Sequence, residues 1–231
     1  VAFPTKPHPD NFLALWPDTV GSDEYTLIAE SVKSSHMGYF FRGRREEPVP
    51  QAKEIRLITA SHGQEDGVQS DTDFYLHPAM RTREITADVL KAIESGTSRL
   101  ICCNLAAPDM VGHLLPRRYE EAKVAYRAAA DALVEIAVAS RKFGLHMLIT
   151  SDHGNIEDDT SAHSAHDVLT TVIQADGKKF HAAISVFQAR LFDIGPTLFE
   201  LMGINQHERK VPLENKDFSG RPLIKFGQVC H

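Results

Sequence analysis

Apolar residues along the chain recur at two different spacings, one typical of helices and one typical of strands. In "REITADVLKAIES" the residues Ile85, Val89, Leu90 and Ile93 lie at helical spacing, and Gly96 offers a stop. The longer stretch "RRYEEAKVAYRAAADALVEIAVASRKFG" repeats the helical pattern and ends at a glycine. A third helix is predicted over "DIGPTLFELMG", with Asp193 as its cap and Pro196 in its first turn.

Continuous apolar runs of strand length alternate with these helices. The clearest are "EIRLITA", "RLICCNLAAPD" and "LHMLITSD", and shorter strands are predicted at "GYFFRG", "LTTVIQA" and "AAISVFQ". The first thirty residues are Pro-rich and are predicted to be irregular, and residues 64–73 have the composition of a loop. The alternation predicts an α/β fold with a mostly parallel sheet covered by helices on both faces.

Composition narrows the possible partners of this fold. With 231 residues, of which 42% are hydrophobic, the chain is typical of a globular protein. Its net charge of -6 argues against nucleic acid as a partner. No apolar run approaches the roughly 18 residues of a membrane span, and the first residues lack the pattern of a signal peptide. Cys102, Cys103 and Cys230 fit neither a disulfide framework nor a zinc site, which favours a reducing compartment.

Side chains that bind metals follow two of the predicted strands. Asp109 and His113 are four residues apart, so one turn of helix would place both on the same face. Asp152 and His153 follow the next strand, at an edge where ligands of parallel sheets collect.

His163 and His166 come shortly afterwards, in a polar loop. Carboxylates and imidazoles without thiolates suit a divalent ion such as manganese or zinc more than calcium. A neighbouring second ion would suit phosphoryl transfer. Asn104, Asn155 and Asp167 are candidates to orient the ligands. The alternative is that these are solvated loop residues and turn caps.

Three short sequence segments carry a family resemblance. The chain reads "NLAAPDMVGH", then "TSDHGNIED", then "SAHSAHD", and this order resembles the phosphatase domain of the cofactor-independent phosphoglycerate mutases of the alkaline phosphatase superfamily. "LIAESVKSSHMGYFFRGRREEP", "LFDIGPTLFELMGI" and "FSGRPLI" are similar to further segments of that domain, and "VAFP" is similar to the linker that enters it. The resemblance implies that residues 1–231 are a partial metalloenzyme domain without the inserted glycerate-binding domain.

The resemblance implies a role for six residues. One manganese ion would be held by Asp109, His113 and His166, and a second by Asp152 and His153 with residues of an amino-terminal segment. Zinc or cobalt could stand in for manganese. Lys33 would contact the transferred phosphate. The family interconverts 2- and 3-phosphoglycerate in glycolysis through a phosphoserine, so its serine is indispensable.

The sequence also departs from the family pattern. It has no counterpart of the amino-terminal aspartate, of the nucleophilic serine or of the inserted domain, and we do not expect Ser61 or Ser151 to replace that serine. It reads "GHLLP", "SVKSS" and "HDVLTT" where the family has "GHTG", "TEKY" and "HTTNPVP". We therefore expect the isolated chain to lack catalysis of its own. Two alternatives stay open for the metal-binding residues: they still bind ions, or they have lost them.

Three interpretations remain open at this point. The chain is the carboxyl-terminal part of a mutase whose serine comes from another polypeptide, a non-catalytic scaffold subunit of a larger assembly, or a different hydrolase of the superfamily. A sheet without its first strand and nucleophile helix would expose an edge, so we expect a second polypeptide to cover it. The family implies a cytoplasmic location. The Val at position 1 would also fit processing of the chain or import into an organelle such as the mitochondrion.

Overall fold

The structure, a computed structural model, describes residues 12–13, 16–20, 23–62, 74–158, 160–175, 180–182, 189–204 and 222–226. The chain divides into two compact units. The first, which we call the sheet unit, comprises Glu24–Gly38 and Glu54–Ala175, and the second, the aromatic unit, comprises Val1–Asp23, Tyr39–Lys53 and Asp176–His231. In the part of the chain that the structure describes, no helix has both the length and the apolar character needed to cross a membrane.

Three strands lie side by side at the centre of the fold. They are β1 (Glu24–Glu30), β2 (Lys53–Thr59) and β3 (Ser98–Cys103), in the order β2-β1-β3. β1 and β3 run parallel, and all seven residues of β1 are buried. A strand buried on both faces is typical of a parallel sheet covered by helices. The predicted α/β fold is thus confirmed.

The sequence predictions for the strands and loops of the first half of the chain are right in part. β2 and β3 lie where strands were predicted. β1 was missed, because it falls in the opening segment that was predicted to be irregular. The strand predicted at "GYFFRG" is wrong, since His36–Phe40 forms a short π-helix and a turn follows it. The predicted loop 64–73 lies outside the described residues, as does "VAFP".

The two long helices are confirmed close to their predicted ends. α2 spans Thr82–Ser95 and α4 spans Tyr119–Lys142. Each is followed by a glycine with positive φ, Gly96 at 61° and Gly144 at 72°, which is the conformation that ends many helices. Their apolar faces meet β1 in a core formed by Ile28, Ile85, Val89, Ile93 and Ile136.

A short helix carries the first candidate ligands against this core. α3 spans Ala107–Gly112 and follows β3 after three residues. Val111 and the nearby Leu115 belong to a second core cluster with Ala122 and Ala125 of α4. Because alanine side chains are small, α3 can approach the α4 backbone closely, which fixes α3 at the end of β3.

The next two strands pair with each other. β4 (Met147–Ile149) and β5 (Thr171–Ile173) are antiparallel, with Leu148 opposite Val172. Both lie inside the predicted strands and are shorter than predicted. Their antiparallel pairing departs locally from the mostly parallel sheet that the sequence predicts. β4 leads into the segment with Asp152, so the second group of candidate ligands also begins at the end of a strand.

The two cysteines of β3 are free thiols in a strand. Both residues are partly exposed as a whole, yet burial is the main influence on their thiols. Burial raises the pKa of Cys102 to about 12, with a further contribution from Cys103. Burial likewise raises the pKa of Cys103 to about 11. Because the thiolate is the reactive form, both thiols are poor nucleophiles in the folded chain.

The aromatic unit has its own small core. Among its described residues are the helices α1 (Trp16–Thr19) and α5 (Ile194–Leu201), and β6 (Phe180–Ala182) pairs antiparallel with β7 (Ile224–Phe226). The ring of Phe12 lies with its centroid 4.7 Å from that of Phe199 and 6.1 Å from that of Trp16.

The helix predicted near the end of the chain is confirmed as α5. Asp193 precedes it, as predicted, but its Oδ2 atom accepts a hydrogen bond from the backbone N–H of Arg190 at 2.9 Å and makes no capping bond to the helix. Pro196 lies in the first turn. The strand predicted at "AAISVFQ" lies outside the described residues, apart from Ala182.

Candidate metal centre

Asp109 and His113 lie together at the end of β3. Asp109 is in the first turn of α3, and His113 follows the helix, with its backbone N–H donating to the Asp109 carbonyl at 3.2 Å. This single turn places both side chains on one face, as the spacing of four predicts. His113 Nε2 lies 3.3 Å from Asp109 Oδ1. A carboxylate oxygen and an imidazole nitrogen therefore face the same point.

His163 completes a triangle with these two residues. Its Nε2 atom lies 3.1 Å from His113 Nε2 and 3.5 Å from Asp109 Oδ1. Two ligand atoms about 2.1 Å from one tetrahedral or octahedral ion are roughly 3.0–3.4 Å apart. The three separations are close to that range, so the side chains are arranged as a divalent ion would require.

The backbone fixes which ring nitrogen is available. His113 Nδ1 lies 2.8 Å from the carbonyl oxygen of Ser161, and His153 Nδ1 lies 3.1 Å from that of Gly154. A carbonyl oxygen can only accept, so Nδ1 of each ring carries the proton. In the neutral rings Nε2 then presents a lone pair, which is the usual arrangement of histidines that bind metals.

His153 and Asp152 border this triangle. The His153 ring stacks on that of His163 at a centroid distance of 3.6 Å. Asp109, His153 and His163 each offer a ligand atom within 4.8 Å of the others. Asp152 Oδ1 lies 3.5 Å from His153 Nε2, and the Asp152 side chain is 74% exposed. The group Asp109, His113 and His163 and the group Asp109, His153 and His163 share two residues, so the candidate site is a single continuous cluster.

Lys33, in the short turn that follows β1, contacts the Asp109 carboxylate. Its Nζ atom donates to Asp109 Oδ2 at 2.5 Å. Burial would raise the pKa of Asp109, but the hydrogen bond and charge of Lys33, together with His113 and Asn155, hold that pKa below its usual value. Asp109 is therefore an ionised ligand at neutral pH, and the Lys33 ammonium is held next to the candidate metal position.

His166 does not join the cluster in this structure. Its Nε2 atom lies 2.9 Å from Asp158 Oδ1, and its side chain is 56% exposed. The hydrogen bond and charge of Asp158 raise the pKa of His166, which favours a protonated ring that cannot bind a metal ion. His163 occupies the place beside Asp109 and His113 that the family resemblance assigns to His166.

Asn155 is the orienting residue that the structure supports most directly. Its Nδ2 atom donates to Asp109 Oδ1 at 2.8 Å and to the Asp109 carbonyl at 3.2 Å, and the residue is buried. Asn104 instead extends the pairing of β3, since its backbone N–H donates to the Ile28 carbonyl at 3.0 Å. The charge of Asp167 helps to raise the pKa of His166.

The sequence analysis did not select His36, which also belongs to this neighbourhood. Burial and the charge of Lys33 lower the pKa of His36, while the charges of Asp152 and Asp109 act in the opposite direction. His36 is therefore close to both pairs of candidate ligands. Its spacing of three residues from Lys33 in "KSSH" was the available signal.

The two serines considered as replacement nucleophiles are placed differently. Ser61 is completely buried and its hydroxyl donates to Glu30 Oε2 at 2.9 Å, while Glu30 Oε1 accepts the backbone N–H of Arg81 at 3.1 Å. Burial raises the pKa of Glu30 despite these bonds. Ser151 is exposed. The Ser61 hydroxyl is thus part of a buried polar network and inaccessible to a substrate.

Comparisons of the sequence with known proteins show the family of this chain. The profile of the metalloenzyme superfamily matches residues 24–206. The 2,3-bisphosphoglycerate-independent phosphoglycerate mutase of Cronobacter sakazakii is 33% identical over 202 residues, which are 85% of this chain and 35% of the mutase. The enzyme of the same description from Anaplasma phagocytophilum is 36% identical over 188 residues, 78% of this chain and 34% of its own.

A solved structure has the same fold. The match is to phosphoglycerate mutase of Leishmania mexicana, crystallised at low cobalt concentration. It has a TM-score of 0.74 and 20% identity, and covers 92% of this chain and 39% of the other. The chain thus spans about a third of the length of the curated relatives it matches.

Proposed function

The chain belongs to the metalloenzyme superfamily, and from this membership we propose that it binds divalent metal ions as the metal-holding part of a cofactor-independent phosphoglycerate mutase. The observation that supports this most is the triangle of Asp109 Oδ1, His113 Nε2 and His163 Nε2, with separations of 3.1–3.5 Å. Carboxylate and imidazole ligands without a thiolate favour manganese, zinc or cobalt.

Each ligand has a defined role in this proposal. Asp109 and His113 would hold the first ion together with an imidazole of the loop after β4. That imidazole is His163 as the side chains lie here, and His166 by the family resemblance, which requires His166 to leave Asp158. Asp152 and His153 contribute to a second ion. A bound ion would supply positive charge for phosphate oxygens.

Lys33 and the ionised Asp109 supply two further charges at the proposed site. The Lys33 ammonium is a mobile point charge on a flexible side chain, and it lies on Asp109 Oδ2 at the candidate metal position. Asp109 would hold the ion, and with the Asp109 carboxylate so engaged the Lys33 ammonium would bind an oxygen of the transferred phosphate. Lys33 therefore orients the phosphoryl group and stabilises its charge.

The proposed reaction is the transfer of a phosphoryl group between the 2- and 3-positions of glycerate. It requires a nucleophilic serine, and we propose that this serine and a further aspartate ligand come from residues other than these 231, on a second polypeptide or a further segment. The same partner would cover the sheet edge and supply the groups that hold the glycerate. The chain alone would then bind metal without turnover.

Metal titration tests the binding proposal. Co²⁺, Mn²⁺ and Zn²⁺ are titrated into the metal-free chain by calorimetry, with the visible absorption of Co²⁺ as a second readout. We expect His113→Ala to lower the affinity strongly, since one of three protein ligands is lost. Whichever of His163→Ala and His166→Ala causes a similar loss identifies the third ligand. His77→Ala is the matched control, because His77 is an exposed histidine stacked on His62.

An assay of phosphoglycerate interconversion tests the activity proposal. We expect no turnover by the chain alone, and turnover when a polypeptide with an aspartate and serine segment is added. Lys33→Met should abolish that turnover while Co²⁺ still binds. Full metal binding without activity in the presence of every copurifying protein would refute the mutase function and leave metal binding intact.

One observation favours a second candidate function, that of a non-catalytic scaffold subunit. Val134 and Val138 lie four residues apart on α4 and are 64% and 65% exposed, so a partner that covers this helix face would bury both valines. Native mass spectrometry of the complex from its source decides this candidate. A stable assembly that the double variant Val134→Lys and Val138→Lys disrupts, together with a site that binds no metal, would favour the scaffold.

A further inference from the structure

The segment after His153 connects Asp109, His153 and His163 of the candidate ligand cluster. Asn155 holds Asp109 through two hydrogen bonds from its side-chain amide. Gly154, the neighbour of His153, accepts a hydrogen bond at its carbonyl from the backbone N–H of Ser164 at 2.8 Å. Ser164 is in turn the neighbour of His163. Asp109, His153 and His163 are therefore each tied to this segment directly or through the adjacent residue.

Glu157 closes this arrangement with a single carboxylate oxygen. Its Oε2 atom accepts the backbone N–H of Asn155 at 2.7 Å and the hydroxyl of Ser164 at 3.1 Å. One oxygen thus joins the segment that holds Asp109 to the loop that carries His163. Glu157 is an exposed residue at the surface, whereas Asn155 and Ser164 are buried.

Gly154 leaves room for these contacts. A Cβ atom at this position would lie 2.2 Å from Ser164 Oγ and 2.9 Å from Glu157 Oε2. Both distances are far below van der Waals contact, so a side chain at position 154 would separate the hydroxyl from the carboxylate. The absence of a side chain there is a requirement of the Glu157–Ser164 contact.

From these contacts we infer that Glu157 is a positioning residue for the metal centre, which fixes His163 against Asp109 and His113 by binding Ser164 and the Asn155 backbone. The inference rests on the proposed metal function for its consequence, and on the hydrogen bonds alone for its geometry. Partners that orient metal ligands typically contribute about 10- to 100-fold to metal affinity.

The test compares four variants of the full chain. Glu157→Ala removes the acceptor, and Ser164→Ala removes the hydroxyl from the other side of the contact. Glu157→Gln removes the charge but keeps a side-chain oxygen that can accept both hydrogen bonds. Glu94→Ala is the matched control, because Glu94 is an exposed glutamate on α2. Urea unfolding of each variant verifies that it is folded.

Two readouts are measured on each variant. In the metal-free chain, NMR signals of the His163 ring report its stack on His153, whose centroid lies 3.6 Å away. With metal, the Co²⁺ affinity and absorption spectrum report the ligand geometry. We expect Glu157→Ala and Ser164→Ala to shift the His163 signals towards unfolded values and to weaken Co²⁺ about 10- to 100-fold. Glu157→Gln and Glu94→Ala should match the unaltered chain in both.

Two results would overturn the inference. If Glu157→Ala leaves the His163 signals and the Co²⁺ affinity unchanged, Glu157 positions nothing. If Glu157→Gln is as impaired as Glu157→Ala, the negative charge matters and the hydrogen bonds do not. A chain that binds no Co²⁺ at all refutes the proposed metal function instead, while the NMR comparison still decides the role of Glu157.

Discussion

Adding one methyl group at Gly112 is a sharp test of how the metal centre is built. Gly112 is the last residue of α3, and a Cβ atom there would lie 2.3 Å from Asn155 Oδ1 and 2.6 Å from Asn155 Cγ. These distances cannot persist, so in Gly112→Ala the amide must move. Asn155 then loses the bonds to the Asp109 carboxylate and carbonyl that now measure 2.8 Å and 3.2 Å.

The expected cost follows from these two hydrogen bonds. A bond to a charged group contributes about 1.5–3 kcal/mol and a neutral one about 1 kcal/mol. Alanine in a helix is favoured over glycine by about 0.8–1 kcal/mol, which acts in the opposite direction. We therefore expect Gly112→Ala to lower the free energy of unfolding by about 1.5–3 kcal/mol, instead of raising it as helix propensity alone would.

A double-mutant cycle with Asn155→Ala isolates the contact. Free energies of unfolding are measured in urea for the unaltered chain, both single variants and the double variant, with constant slopes as the check on two-state behaviour. In the Asn155→Ala background the methyl group meets no amide, so Gly112→Ala should be neutral or stabilising. An equal cost of Gly112→Ala in both backgrounds would refute the reasoning, because the clash with Asn155 would then play no part.

Further predictions concern the core, a buried acid and the bound ion. Because burial raises the pKa of Glu30 above its ordinary 4.5, the folded chain binds more protons there and loses stability as the pH rises from that value through the raised pKa. Glu30→Gln, which can still bind Ser61, should abolish this loss in urea titrations at a series of pH values, and an unchanged pH profile would contradict it. Ile136→Ala should cost about 2–5 kcal/mol of unfolding free energy, since Ile136 is buried in the core. The exposed Val138→Ala should change it by less than about 0.5 kcal/mol, and equal costs would show that the α4 faces are misassigned. Saturation with Co²⁺ at about 100 times its Kd should add about 2.7 kcal/mol, or roughly 5–11 °C in Tm, and a chelator should reverse this gain in a calorimetric scan.

Helical periodicity predicted α2 and α4 well because tertiary packing uses the same faces. Ile85, Val89 and Ile93 recur at a spacing that only a helix buries together, and they do lie in one core. "GYFFRG" carries no such signal, since a short apolar run fits a strand or a helical turn equally. Gly38 also packs against a residue distant in sequence, since a Cβ at this position would lie 2.7 Å from the Arg56 guanidinium.

The candidate site was predictable where spacing determines geometry. Asp109 and His113 share a helical turn, so their proximity follows from the sequence. The loop reads "SAHSAH", in which His163 and His166 have the same two preceding residues. Local sequence cannot distinguish two such histidines. Contacts with the preceding loop do so in this structure, since Ser164 binds Glu157 and His166 binds Asp158. Whether His163 or His166 binds an ion stays a prediction for the titrations above.

The adjacent thiols of β3 can report how often this strand opens. With pKa values of about 12 and about 11, Cys102 and Cys103 react with an alkylating reagent only when the strand leaves its protein surroundings. After Cys230→Ser, the alkylation rate therefore measures how often β3 opens under native conditions. Since β3 leads to Asp109, ligands that stabilise this end of the sheet should slow the alkylation. Mass spectrometry can follow the alkylation without any engineered label.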